Sequence, residues 1–179
     1  MSNLYFRQFP KVVRDGITTV NLLKRVRIRS KIFNDASSFY PYVIELNERP
    51  EHVAYNYYDD PHLTWLVMLC NDIIDPYFDW YLNPDEFQNF ITKKYGSVAE
   101  AQATVKHYKN VNDNHIVSRD TFETGAAADL SGLASGDYVQ VDAYTFEDEL
   151  NESKKFIRLI DKSLVPKITK ELRLLMNDK

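Results

Sequence analysis

The chain has 179 residues, 44% hydrophobic and 27% charged, which fits one ordinary domain or one small domain with long appendages and excludes both a large multidomain enzyme and a disordered chain. Lysine and arginine total 22 against 26 aspartate and glutamate, a net charge of -4 that exerts no global pull toward nucleic acid or anionic membrane, so any basic contact must be local. The lone cysteine, Cys70, cannot form an internal disulfide, and no apolar run approaches the roughly 20 residues that span a bilayer. Met1 to Pro10 carries Arg7 and lacks the continuous apolar stretch of a secretion signal. Neither export nor membrane insertion is expected.

The first 38 residues read as an extended arm and linker, ending in the polar stretch Asn34-Asp35-Ala36-Ser37-Ser38. Within the arm, Lys24, Arg25, Arg27, Arg29 and Lys31 interleave with Val26, Ile28 and Ile32. This is the period-two pattern of a strand with one charged face. It is either a solvated edge strand kept from aggregating by its charges or a docking stripe, centred on Arg25, Arg27 and Arg29, for an acidic partner protein.

Phe39 to Leu46 is aromatic and β-branched and predicts a strand, with a turn at Asn47-Glu48. Arg49-Pro50-Glu51 opens a helix, because proline is tolerated where its missing N–H is not needed, and Val53, Ala54 and Tyr57 share one face of it. Asp59-Asp60-Pro61 ends that helix and starts a second one running to about Cys70. From Trp65 through Cys70 every residue is apolar, so flanking segments or another subunit must cover this helix on more than one side. Pro76 to Leu82 is aromatic and irregular. Phe78, Trp80 and Tyr81, lying beside prolines, are candidates for contact with a partner subunit.

Asn83-Pro84-Asp85-Glu86 starts a helix with Phe87, Phe90, Ile91 and Lys94 on one face and Gly96 as its stop. Ser97-Val98-Ala99-Glu100 resembles a capping box and opens a short following helix. Val105 to Lys109 and His115 to Arg119 pair as a hairpin across Asn112-Asp113-Asn114. Gly125 to Gly136 reads as a loop, Tyr138 to Val141 as a strand, Glu147 to Lys155 as a charged stretch, and Phe156 to Ile160 as a short extended or helical piece. Ser163 caps a last amphipathic helix, whose stripe of Leu164, Ile168, Leu172 and Leu175 needs a partner surface.

No catalytic constellation emerges. The four histidines do not fall at zinc-ligand spacings, and the five glycines form no phosphate-binding motif. Cys70 follows a hydrophobic run and reads as a buried core thiol. Asp72, Asp75, Asp79, Asp85 and Glu86 read as surface carboxylates, because Pro76 and Pro84 break the geometry that would align them. No enzyme activity, cofactor or metal is expected. The positive signal is aromatic, with 13% of residues Phe, Trp or Tyr, types favoured in protein interfaces as well as in cores.

The run Glu48-Arg49-Pro50-Glu51-His52-Val53-Ala54-Tyr55-Asn56-Tyr57-Tyr58-Asp59-Asp60-Pro61-His62-Leu63-Thr64-Trp65, continued through Asn71-Asp72 to Asp75-Pro76, resembles a LysM module. Ala54, Tyr57 or Tyr58, and Asn71 fall where such modules carry an alanine, a tyrosine and an asparagine, with Trp65 inside the second helix. This version, with Tyr5-Phe6-Arg7-Gln8-Phe9-Pro10 before it and Lys94-Tyr95-Gly96 after it, resembles the baseplate wedge subunit of T-even-type contractile-tailed phages. Asn47 and Asp59 stand where many LysM relatives have glycine.

The resemblance implies an α+β fold: a small LysM-like strand-helix-helix core with an extended N-terminal arm, additional helices, a short β-hairpin and a C-terminal amphipathic helix. The expected segments are 1–38 as the basic arm, 39–82 as the LysM-like domain, 83–124 as a helical extension and hairpin, and 125–179 as a loop, strand and C-terminal helical arm. The implied role is a structural clamp joining adjacent wedges around the central hub during tail assembly. Its partners would be wedge-ring and sheath-initiator-like subunits and the hub, with several copies in a symmetric virion assembly built in the host cytoplasm and no nucleic acid or membrane. The alternative is a LysM module that binds peptidoglycan or chitin oligosaccharide, and a third reading is a hydrolase using Asp or Glu residues.

Overall fold

A computed structural model describes residues 5, 9–22, 35–127 and 137–177. The mixed α+β class expected from the sequence is observed. The chain divides into two compact units, residues 1–81 with 154–179 (unit 1) and residues 82–153 (unit 2).

Unit 1 opens with a hairpin of β1 (Lys11–Arg14) and β2 (Ile17–Val20). The two-residue turn Asp15-Gly16 has positive φ at both positions, 52° and 77°, the backbone that matches the right-handed twist of paired strands and that Asp and Gly tolerate. Next comes β3 (Phe39–Val43), then α1 (Pro50–Tyr58) and α2 (Thr64–Cys70), the latter entered through a 3-10 turn at Pro61–Leu63. The Asp60 carboxylate accepts from the His62 N–H and caps that turn. Asn47 and Asp59, bracketing the first helix, have φ of 62° and 60°. These are left-handed positions, filled here by the two non-glycine types that best tolerate that conformation.

The strand that completes this arrangement comes from the far end of the chain. β7 (Phe156–Ile160) pairs antiparallel with β3, Phe39 opposite Ile160 and Val43 opposite Phe156. A 3-10 turn at Lys162–Leu164 leads into α7 (Val165–Asn177). The core of unit 1 gathers Ile44, Val53, Ala54, Trp65, Leu66, Val67 and Cys70 with Ile157, Leu159 and Ile160, and it also takes in Phe9, Trp80, Ile168, Leu172 and Met176. Each fully buried aliphatic side chain contributes about 1.5–3 kcal/mol. The apolar α2 is therefore covered by other segments of this chain.

Unit 2 contains α3 (Pro84–Tyr95), α4 (Val98–Ala103), β4 (Val105–Asn110), β5 (Ile116–Ser118), α5 (Arg119–Ala127), β6 (Tyr138–Asp142) and α6 (Ala143–Ser153). Its sheet has the order β5-β4-β6, all antiparallel, with a bulge at Val105/His107. The expected hairpin across Asn112-Asp113-Asn114 is present, and Asn114 is left-handed at φ 60°. Phe87, Ile91 and Ala101 form a second core with Leu82, Phe90, Val98 and Tyr144 packed on it. Asn151 closes the unit: its side-chain amide accepts from the Leu82 N–H and donates to the Leu82 carbonyl, both at 2.9 Å, joining the residue where the chain enters to the helix by which it leaves.

Several expectations change. The N-terminal segment is not simply an extended arm, because its described part contains the β1–β2 hairpin and its aromatics Tyr5 and Phe9 pack on the core of unit 1. The C-terminal helix is a core element, because Leu164, Ile168 and Leu172 of the apolar stripe find their cover within the same chain, Leu175 alone of the four staying exposed. Asp161, rather than Ser163, caps the turn before it, accepting from the Ser163 N–H. Residues 125–127 of the expected loop belong to α5, with Gly125 buried, while 128–136 lies outside the described residues.

Candidate partner interface

Among the interface candidates, Arg25, Arg27 and Arg29 lie outside the described residues. Phe78 is 67% exposed, but Trp80 and Tyr81 are buried. The Trp80 indole N–H donates to the Glu48 carbonyl at 2.8 Å, and the Lys155 ammonium sits over the Tyr81 ring at 4.6 Å. These two aromatics are therefore spent inside unit 1, which corrects their assignment to a partner face. Leu172 is likewise core, and Leu175, three residues on, is partly exposed.

Ala54, Tyr57, Trp65 and Asn71, expected as a LysM-like core, all make contacts within unit 1. Ala54 is fully buried and Tyr57 stacks on Tyr40 with ring centroids 5.7 Å apart. Trp65 stacks on Tyr5 at 5.6 Å, and its buried indole N–H finds no hydrogen-bond partner among the described residues. Asn71 has the most telling geometry. Alternation along the β3–β7 ladder places Arg158 opposite Pro41 at a position where neither residue bonds across, since the flanking bonds run Ile44 N–H to Lys155 and Asp161 N–H to Ser38. Arg158 thus turns its backbone groups away from β3. The Asn71 amide takes both, accepting from the Arg158 N–H and donating to the Arg158 carbonyl at 2.9 Å each, and it also donates to the Val67 carbonyl at 2.8 Å. One side chain ties the end of α2 to the outer edge of β7.

Two buried carboxylates are fully engaged. Glu48 accepts from the Tyr42 hydroxyl, the Asn56 amide and the Glu45 N–H. Burial and the Glu48 carboxylate push the Tyr42 hydroxyl up to about 12. In unit 2, burial would raise the Glu147 carboxyl, but hydrogen bonds from Lys94 at 2.7 Å and Tyr95 at 2.8 Å hold it below the ordinary range. Burial pushes the Cys70 thiol up to about 12. Among the described residues no group of three or more His, Cys, Asp or Glu is placed to hold a metal ion.

Two exposed features remain. Every residue of β1 and β2 is exposed. One face carries Lys11, Val13, Thr18 and Val20, the other Val12, Arg14, Ile17 and Thr19. The segment is nevertheless anchored at its base, where Phe9, two residues before β1, is buried and meets Tyr5 edge-on at 4.9 Å. The second feature is the loop after α2. The Asp79 carboxylate accepts from the N–H groups of Ile74 and Asp75, Asp75 accepts from the Tyr77 N–H, and the Lys154 ammonium donates to the Phe78 carbonyl. These bonds hold the backbone in one shape while Ile74, Tyr77 and Phe78 point outward, exposed by 86%, 74% and 67%. The Asp-Gly between two short β-branched runs, Val12-Val13 and Ile17 to Val20, was the available signal for the hairpin. Nothing local in the sequence distinguishes Tyr77 and Phe78 from Trp80 and Tyr81.

Residues 9–128 match the family described as "Base plate wedge protein 53". The chain is also similar to "Baseplate wedge protein gp53" of Enterobacteria phage T4, 30% identical over 110 residues, which is 60% of this chain and 50% of that protein. It thus matches about half the length of that relative. The chain belongs to the base plate wedge protein 53 family.

Proposed function

We propose that this protein is a structural component of a phage tail baseplate, assembled in the host cytoplasm, that joins neighbouring wedges around the central hub. Its partners are the other wedge proteins, the wedge-ring and sheath-initiator-like subunits among them, and it acts in several copies. The observation that carries this reading is the anchored hairpin β1–β2, exposed on both faces and bearing aliphatic and cationic side chains. A lone two-stranded hairpin is marginal in water and gains stability when a partner covers it. The strand-helix-helix of β3, α1 and α2, closed by β7, supports the LysM-like reading of unit 1, with unit 2 inserted before the closing strand.

The test is co-expression with the other wedge proteins, asking whether wedges close into rings only when this chain is present. Reversing Arg25, Arg27 and Arg29 to Glu leaves the thermal midpoint nearly unchanged but weakens joining, most visibly at low salt. Ring closure without the chain, or sedimentation of the chain with insoluble peptidoglycan in the absence of tail proteins, refutes the joining role.

A further inference from the structure

The charges of this chain are sorted along it. Residues 1–32 hold eight of the 22 basic residues and one of the 26 acidic ones, leaving a net charge of +7 there against -11 for the remainder. The described part of the basic segment is the hairpin, where Lys11 and Arg14, with Asp15 at the turn, leave a net charge of +1 among the aliphatic Val12, Val13, Ile17 and Val20. The loop after α2 has the complementary character. Asp72, Asp75 and Asp79 are its carboxylates, and Ile74, Tyr77 and Phe78 stand out between them. Lys154 approaches this loop with its ammonium bonded to the Phe78 carbonyl.

We propose that copies of this protein associate head to tail through unit 1, the aliphatic and basic hairpin β1–β2 of one copy lying against the acidic and aromatic loop 72–79 of the next. This deepens the joining role and rests on it, since that role calls for several copies side by side. The two surfaces belong to the same unit, yet every residue of the hairpin is exposed. The hairpin therefore does not cover the loop of its own chain, and both surfaces are open to a second copy. Both sides are prepared for docking: Phe9 holds the hairpin's base, and four hydrogen bonds hold the loop, so little conformational entropy is lost on contact. The cations can rest on the faces of Tyr77 and Phe78 while facing the carboxylates. Because the surfaces differ, the contact is heterologous, and repetition yields a ring or an open chain of copies.

The experiment is sedimentation velocity on the full chain and two variants. K11E/R14E reverses the hairpin's charge, and I74S/Y77S removes the loop's apolar side chains at positions that project into solvent. The wild type self-associates at low salt, and raising the salt weakens association by roughly tenfold or more, because charges at a surface are screened within about a Debye length. Each variant alone is a monomer with unchanged tryptophan fluorescence. Mixed together they form a heterodimer that stops at two chains, since one supplies an intact hairpin and the other an intact loop. A wild type that stays monomeric at low salt, or variants that fail to complement, overturns the proposal. If in that case ring closure in the co-expression assay still requires the chain, the joining role stands, and the hairpin serves a different wedge protein.

Discussion

Removing the Asn71 side chain is the sharpest probe of how unit 1 holds together. Asn71→Ala deletes three hydrogen bonds, two of which satisfy the N–H and carbonyl that Arg158 turns away from β3. An unsatisfied, largely buried backbone group costs about 1–3 kcal/mol, and both sites are only partly buried, so the loss should be about 2–4 kcal/mol. For a chain of this size each kcal/mol moves the midpoint by about 2–4 °C, so Tm should fall by about 4–16 °C. Both tryptophans, Trp65 and Trp80, lie in the core of unit 1. Tryptophan fluorescence therefore reads that unit alone and avoids mixing its transition with that of unit 2. The urea midpoint should fall with little change in slope, and hydrogen exchange at the Arg158 amide should accelerate. A stability change within about 0.5 kcal/mol, with Arg158 still protected, would falsify the view that this amide is the tie between α2 and β7.

Trp65→Ala should cost about 3–5 kcal/mol by emptying a core position, read by the thermal midpoint of unit 1 in circular dichroism; an unchanged midpoint would deny Trp65 its core role. Cys70, with its thiol pushed to about 12 by burial, should resist alkylation in the native protein and react on unfolding. Because the folded values of the Cys70 thiol and the Tyr42 hydroxyl are raised, their contribution to stability is present below the unfolded values and is lost as pH rises toward about 12. A flat melting temperature on the alkaline side would count against this. In unit 2 the sign is opposite: Glu147 has a depressed folded value, so the stability it lends is present above the ordinary glutamate range and disappears as pH falls through the folded value. Glu147→Gln should flatten that acid limb, followed by circular dichroism.

Short-range order was legible because its causes are short-range. Pro50, Pro61 and Pro84 open helices or turns where their missing N–H is harmless, Asp60 and Ser97 supply capping oxygens, and Asn47, Asp59 and Asn114 adopt left-handed turns. The hairpin at Asp15-Gly16 follows the same local rules, although each of its strands is only four residues long and carries little periodicity of its own.

The sequence by itself marked where α1 to α4 begin and end, while α5 and α6 were not legible in it, and it required that Trp65 to Cys70 be covered on several sides. It could not say by what. Only the tertiary structure decided that β7 closes against β3 across more than a hundred residues, that α7 seals the core from within, and that Trp80 and Tyr81 turn inward while Tyr77 and Phe78 turn out. The physical reason is that a cap or a turn is satisfied by neighbours a few residues away. The burial of an apolar side chain depends only on which surface meets it in space, and an aromatic residue is equally suited to a core or to a partner.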